Sequence, residues 1–252
     1  MPDWMIWMPT GANMNELLVF AATLWTIHQI LAVGTSLFFN YMHTNNRFPQ
    51  LRFSKGKAPP DKLYRAAWKE WFLNHILFLP LVMGLGLYPL FLLSGGVMAA
   101  PWPSVVEVLL HIAVCTFVNE TIFYFSHRFL HNKKMFRLIH RKHHAFRQVR
   151  PVCSEYAHPF ENALNLVAMY AGLILMGSHF LTWCLWVAIR IYETNDGHSG
   201  YAHIDSASRH AYHHHFPTKG CYGTALGFWD RVLGTDKHWR EWKAKQDEKN
   251  IA

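Results

Sequence analysis

Apolar and polar stretches alternate on a scale that sets the architecture. Leu17 to Tyr41 is long enough to cross a bilayer at about 1.5 Å per helical residue. Trp71 to Leu93 predicts a second span. It contains Pro80, Gly84, Gly86 and Pro89, which membrane helices tolerate when neighbours satisfy the freed backbone groups. Val105 to Phe125 predicts a third span. Asn162 to Tyr192 is apolar but interrupted near Gly177-Ser178-His179, which predicts two short helices forming a hairpin. Between these stretches, the Pro59–Pro60 pair breaks any helix, and the uncharged Ser94–Ser104 reads as a short loop. After His215 the chain is soluble in character and ends in a charged, helix-like stretch, Lys237–Asn250. No linker marks a second domain, so residues 1–252 are expected to form one unit.

Charge gives the spans a direction. The net charge of +8 would suit a nucleic-acid partner, but the basic residues flank apolar spans, which fits a membrane face instead. Arg47, Arg52, Lys55, Lys57, Lys62, Arg65 and Lys69 lie between the first two spans. Arg128, Lys133, Lys134, Arg137, Arg141, Lys142, Arg147 and Arg150 follow the third. Residues 1–16 and 94–104 contain no Lys or Arg. The positive-inside rule therefore puts both basic regions on the cytoplasmic side, with two spans between them. The hairpin returns the chain to that same side. The start, MPDWMIWMPT, lacks a basic leader, so no cleaved signal peptide is expected. Cys115, Cys153, Cys184 and Cys221 are scattered and read as reduced thiols. The Asn119-Glu-Thr sequon falls inside a span and reads as a chance match.

Histidine carries the chemistry. His127 and His131 are four apart, His140, His143 and His144 follow, and His210, His213 and His214 repeat the second spacing. On a helix, positions i, i+3 and i+4 share a face, so each set would cluster its imidazoles. A solvated face or a hydrogen-bonded core histidine accounts for any single one; the repeated spacing points to metal ligands. His28 and Gln29 are polar residues inside the first span, where packing or a site would explain them equally. His75 and His111 on separate apolar helices could frame a haem, but no other feature supports one.

These boxes resemble those of the fatty acid hydroxylase/sterol desaturase superfamily of membrane oxygenases: His127-x-x-x-His131, His140-x-x-His143-His144 and His210-x-x-His213-His214. Within it, the chain looks most like the C-4 methylsterol monooxygenases, through Glu155-Tyr-Ala-His-Pro159, Glu193-Thr-Asn-Asp-Gly-His-Ser-Gly-Tyr201 and Phe228-Trp-Asp-Arg-Val-Leu-Gly-Thr-Asp236. The resemblance covers residues 105–240, the expected catalytic region, and leaves 1–104 as a membrane anchor matched in hydropathy alone. It implies a non-haem di-iron centre, dioxygen as co-substrate, and electrons from cytochrome b5 or its reductase. It also implies an endoplasmic reticulum membrane in a eukaryote, or the inner membrane in a bacterium. His158 and His198 match family histidines outside the boxes and join the implied ligands. Two features depart from the family: Ala211 stands where Asp is usual, and the segment between His198 and the last box is short.

Ten candidate imidazoles (His127, His131, His140, His143, His144, His158, His198, His210, His213 and His214) exceed the needs of one ion, and two adjacent ions are the natural count. Imidazole suits Zn, Cu, Fe and Ni alike, so the ligands do not choose the metal. Attack on a lipid C–H bond does, because zinc has no redox chemistry; two Fe ions are expected, with Zn able to occupy purified protein. Glu155, Glu193, Asp196 and Asp230 are carboxylates available to orient metal-bound rings. His203, His215 and His238 break the spacing and read as bystanders. The expected fold is all-α, a polytopic membrane bundle of about four spans, the last a hairpin, under a cytoplasmic histidine-rich di-metal cap. The expected activity is oxidation of a sterol C-4 methyl group. Sterol desaturation and fatty acid or sphingolipid hydroxylation share the boxes. A histidine-rich metal transporter is the rival of another class; it would place polar ligands near the bilayer midplane. The chain has no dinucleotide fingerprint, so a reduced nicotinamide would act through a partner.

Overall fold

The three predicted spans become three long helices, each with a recognisable start. In the computed structural model, which describes residues 8–53 and 59–251, the first, α1, runs Met14–Thr44. Its N-cap Asn13 accepts the Glu16 amide at 2.8 Å, and the Glu16 carboxylate sits favourably in the first turn. Residues 1–7 of the N-terminal lead and Lys55 and Lys57 of the basic loop lie outside the described residues. The second helix, α2, runs Asp61–Leu93 and begins immediately after Pro60, ten residues ahead of the apolar stretch. Those ten residues are amphipathic: Leu63, Tyr64, Ala67 and Trp68 pack inward, continued by Trp71, while Asp61, Lys62, Arg65 and Lys69 face out. An apolar-run reading misses such a segment because its mean hydropathy is low. Wider π turns at Leu73–Phe78 and Val82–Leu87 precede Pro80 and Pro89 and enclose Ile76 and Leu85, the residues four before each. A proline lacks its N–H and clashes with the carbonyl four residues back, and a widened turn relieves both.

The third helix, α3 (Val105–Leu130), opens on a Ser-x-x-Glu cap in which Ser104 Oγ accepts the Glu107 amide at 3.1 Å. It runs five residues past the predicted end, so His127 lies on the helix itself. The broken apolar stretch forms the expected hairpin, α4 (Pro159–Leu175) and α5 (Phe180–Gly197). Gly177 turns the corner at φ +56°, and a Cβ there would meet the Ser94 carbonyl oxygen at 2.6 Å, so glycine is required twice over. Among the described residues, α1, α2 and α3 are long and apolar enough to cross a membrane. The hairpin helices are shorter or more polar, α5 carrying Arg190, Glu193 and Asp196. Three short helices complete the chain: α6 (Asp205–His215), α7 (Phe228–Val232) and α8 (Lys237–Ile251). The described residues contain no strand, only an isolated bridge between Arg52 and Tyr201.

The bundle is apolar outside and divided inside. Leu18, Ile30, Leu37, Phe78, Leu81, Leu109 and Leu110 are exposed along the spans, as a lipid solvent allows. At one end, Phe20 lies 5.2 Å from Phe91 and 5.5 Å from Trp183, and Trp183 stacks 5.6 Å from Tyr170, joining α1, α2, α5 and α4. Polar contacts gather at the other end. His43 at the end of α1 lies 2.7 Å from the Ser199 carbonyl, and Lys142 pairs with Glu70 at 2.7 Å. The two basic regions thus meet at the end of the bundle that carries the histidines.

Helices α3 and α4 pack closely at Gly172, where an added Cβ would lie 2.7 Å from Cys115 Cα. Gly172→Ala should push the pair apart and cost about 1–3 kcal/mol. Gly34→Ala, on an exposed face with nothing within 4 Å, should be silent or slightly stabilising. Thermal melting of both variants in detergent checks the contrast.

Candidate metal centre

Helix geometry sorts the histidines into two sets, but not box by box. The first set is His127, His131, His140, His144 and His213; the second is His143, His198, His210 and His214. Within each, one ring nitrogen per residue lies within 4.8 Å of all the others. Four-residue spacing keeps His127 with His131, His140 with His144, and His210 with His214. Consecutive residues on a turn point about 100° apart, so the pairs His143–His144 and His213–His214 divide between the sets. Only the last box lies wholly on one helix, α6. His127 rides on α3, and His131 is its C-cap. His140 closes a π turn, Phe136–His140, and His143 and His144 open a 3-10 turn.

The rings are turned inward by their outer nitrogens. His127 Nδ1 meets the Tyr222 carbonyl at 2.8 Å, and His213 Nδ1 the Gly220 carbonyl at 2.8 Å. His198 Nδ1 meets the Thr194 carbonyl at 2.7 Å, and His214 Nδ1 the Phe146 carbonyl at 3.1 Å. His140 Nδ1 lies 2.9 Å from Glu161 Oε1. A carbonyl only accepts, so each Nδ1 that meets one carries the proton, and the Nε2 lone pair points into the centre. There the Nε2 atoms crowd: His127 to His140 3.0 Å, His140 to His144 3.0 Å, His144 to His213 3.1 Å, and His131 to His213 3.1 Å. In the second set His198 lies 2.9 Å from His210 and 3.3 Å from His143, and the buried Nε2 of His214 has no hydrogen-bond partner. Lone pairs converging in a buried space call for a cation. All nine rings are neutral-imidazole donors of the kind that suits Fe, Zn, Cu or Ni, so the residues fit a pair of such ions.

Burial keeps the donors available. It pushes His143, His144, His210, His213 and His214 well below the ordinary 6.5, and neighbouring imidazoles add to the effect. Burial also lowers His198, to about 4, against opposing help from the Thr194 carbonyl and Glu155.

His158 stands apart from both sets. It is the N-cap of α4, and its Nδ1 accepts the Phe160 amide at 3.1 Å, which engages the lone pair a metal would need. His203 pairs with Asp196 at 3.1 Å, and His238 with Glu241 at 3.6 Å on the surface; neither they nor His215 join the sets. The four carboxylates chosen from sequence serve other partners. Glu155 faces His75 at 3.4 Å, Asp196 holds His203, and Glu193 binds Arg190 and the Ala225 amide. Asp230 takes the Tyr222 and Gly223 amides at 2.9 and 2.7 Å, and so reaches His127 only through the Tyr222 peptide. Glu161, which touches His140 directly, was not singled out. Its signal is a lone carboxylate in the first turn of an apolar helix, a residue seldom buried without a partner. Glu120 was missed likewise. Fully buried in α3, it accepts the Phe228 amide at 2.9 Å and the Thr224 hydroxyl, and with Asp230 and Arg209 it pins the 220–228 loop.

A cavity of about 500 Å³ adjoins the centre. It is lined by His127, His140, His143, His198 and His210, by Phe78, Leu79, Val82, Leu166 and Met169 of α2 and α4, and by polar side chains including Asn74, Asn119 and Arg190.

A helical membrane bundle with two converging imidazole sets at one end defines a class of histidine-box membrane proteins. Residues 112–235 match the family model described as fatty acid hydroxylase. The chain is 33% identical over 181 residues to methylsterol monooxygenase 2-2 of Arabidopsis thaliana, covering 67% of each protein. It is 32% identical over 205 residues to fatty acid hydroxylase domain-containing protein 2 of Macaca fascicularis, covering 79% of this chain and 60% of that one. Against methylsterol monooxygenase 1 of Rattus norvegicus it is 33% identical over 140 residues, 52% of this chain and 48% of that protein. The chain belongs to the fatty acid hydroxylase family. It spans about half to two thirds of the length of these relatives. No solved structure matches it.

Two outcomes are expected. His143→Ala and His213→Ala, one from each set, should each lower the metal content of purified protein, whereas His238→Ala, a surface residue, should leave it unchanged; elemental analysis decides. Metal-free protein should also respond to acid. The folded rings have depressed pKa values, so they stay neutral while the unfolded chain takes up protons from 6.5 downward. Stability is therefore present above that pH and lost as pH falls below it. The melting temperature of chelated protein should drop progressively below about pH 6.5.

Proposed function

We propose that this protein is an oxygen-dependent di-iron lipid monooxygenase that oxidises a sterol C-4 methyl group. The observation that carries the reading is the cavity: it leads from the histidine sets along apolar side chains of the spans, as a lipid reaching a metal centre from the bilayer would require. Its volume lies within the range of about 300–1,000 Å³ usual for small-molecule sites. The similarity to two methylsterol monooxygenases favours the sterol over an acyl chain.

Nine histidines would hold two ions: His127, His131, His140, His144 and His213 the first, and His143, His198, His210 and His214 the second. Bound iron would supply the activation of dioxygen that a C–H bond demands. The chain's own residues do the positioning. The carbonyls of Tyr222, Gly220, Thr194 and Phe146 keep four of the imidazoles in the tautomer that presents Nε2, and Glu161 packs against the outer edge of His140. Phe78, Val82, Leu166 and Met169 exclude water around the hydrocarbon of the substrate. Each oxidation takes one dioxygen, two electrons and two protons; one oxygen atom enters the methyl group and the other leaves as water. The electrons would come from cytochrome b5 or its reductase at the basic end of the bundle. That end faces the cytoplasm by the positive-inside rule, at the endoplasmic reticulum or at a bacterial inner membrane.

Membranes containing the protein, reduced nicotinamide, a reductase system and a 4,4-dimethylsterol should consume oxygen and yield a C-4 hydroxymethyl or carboxyl product. A new ring double bond, or a hydroxylated acyl chain with the sterol untouched, would replace the methylsterol assignment with a desaturase or acyl hydroxylase. Orientation has its own test: a C-terminal tag should be digested by protease added to the cytoplasmic side of sealed vesicles, and a tag in the 94–104 loop protected.

A further inference from the structure

A third set of metal-ligating side chains lies outside the nine-histidine centre. His28 near the middle of α1, His75 in the first π turn of α2, and Glu155 in the loop before α4 bring one ligand atom each to within 4.8 Å of one another. The three come from distant parts of the chain, and two belong to apolar spans, where an ionisable side chain is costly and marks function by default. The His28 and His75 rings meet edge to face at 4.7 Å between centroids, and Trp71 lies 4.5 Å over His75. Trp71 thus packs against the site from outside it.

The arrangement of protons leaves a gap. His75 Nδ1 lies 3.3 Å from Gln29 Oε1, and His75 Nε2 lies 3.4 Å from Glu155 Oε2. In the neutral ring that donates its Nδ1 proton to Gln29, Nε2 and the Glu155 carboxylate are two acceptors facing each other. His75 Nε2 has no hydrogen-bond partner, and neither does the buried Nδ1 of His28. A cation bonded to one ligand atom of each group would give His75 Nε2 and the Glu155 carboxylate a common partner. Gln29 then plays the part of the outer partner that fixes a ligating imidazole. A π turn places His75, as such turns often do at functional sites. Glu155, with 28% of its side chain accessible, provides the way in.

We propose that His28, His75 and Glu155 form a separate site for one divalent first-row cation, zinc or ferrous iron. Two imidazoles and a carboxylate are a donor set that both ions accept, with coordination left open. All three residues line the same cavity as the histidine sets, so the open position faces the space proposed for the substrate. The inference concerns only these side chains and does not depend on which lipid is oxidised.

The test counts ions in the full-length protein purified in detergent, stripped with chelator, reloaded with Zn²⁺ and freed of loose metal by gel filtration. Wild type should retain one ion per chain more than His75→Leu. Glu155→Gln, which keeps the size of the side chain, should show the same loss of one. Because the result is a difference, it holds whatever number the nine-histidine centre retains; a total other than three with the difference intact counts against the two-ion centre alone. Should His75→Leu fail to fold, Glu155→Gln decides. Equal zinc in wild type and in every folded variant would overturn the site and leave His75 and Glu155 as an ion pair.

Discussion

Nine imidazoles with their lone pairs turned toward one another are the constraint on which the rest of this structure depends. Such a cluster can form only if every ring is neutral and held from behind. Burial takes care of the first condition, and backbone carbonyls meet the second for His127, His198, His213 and His214. The carbonyls of Phe146, Thr194, Gly220 and Tyr222 must therefore stand still, although three of them lie in loops or turns. Their rigidity comes from charged groups placed where charge is expensive. Glu120 and Asp230 are buried and bind amides of the 220–228 loop, while Arg209 donates to the Ala225 carbonyl at 2.5 Å. The order of support runs from a buried carboxylate to a peptide, and from the peptide to a ring.

The membrane helices serve the same end. α3 delivers His127 from within its last turn, and α4 and α5 carry Glu161 and Thr194 to the rings at the level where the apolar spans give way to the cap. The aromatic core around Phe20, Phe91 and Trp183 fixes the opposite end. Between the two, the π turns of α2 spread the bundle beside His75, Phe78 and Val82, all of which line the cavity.

Much of this was legible in the sequence, for identifiable reasons. Spans and hairpin follow from hydropathy, which depends on composition and so survives ignorance of contacts. The histidine spacings announced a cluster because four-residue steps on a helix are local. What remained hidden is non-local. The allocation of His143 and His144 to different sets depends on where a short turn points. Glu161 and Glu120 acquire meaning only when His140 and the Phe228 amide are brought beside them. The start of α2 at Asp61 escaped because an amphipathic helix pairs each apolar residue with a charged one. His158 was drawn in by resemblance, and its capping bond to Phe160 is a role that spacing cannot reveal.

The division of His143–His144 and His213–His214 between the two sets has a further consequence. One peptide bond separates a donor of one set from a donor of the other, twice over. On the proposed two-ion reading, an ion that draws in His144 and His213 would also stiffen the backbone that carries His143 and His214. The second arrival would then find its donors already ordered, and lose less conformational freedom on binding than the first. Filling would thereby be cooperative, with half-occupied molecules scarce and the population divided between empty and full.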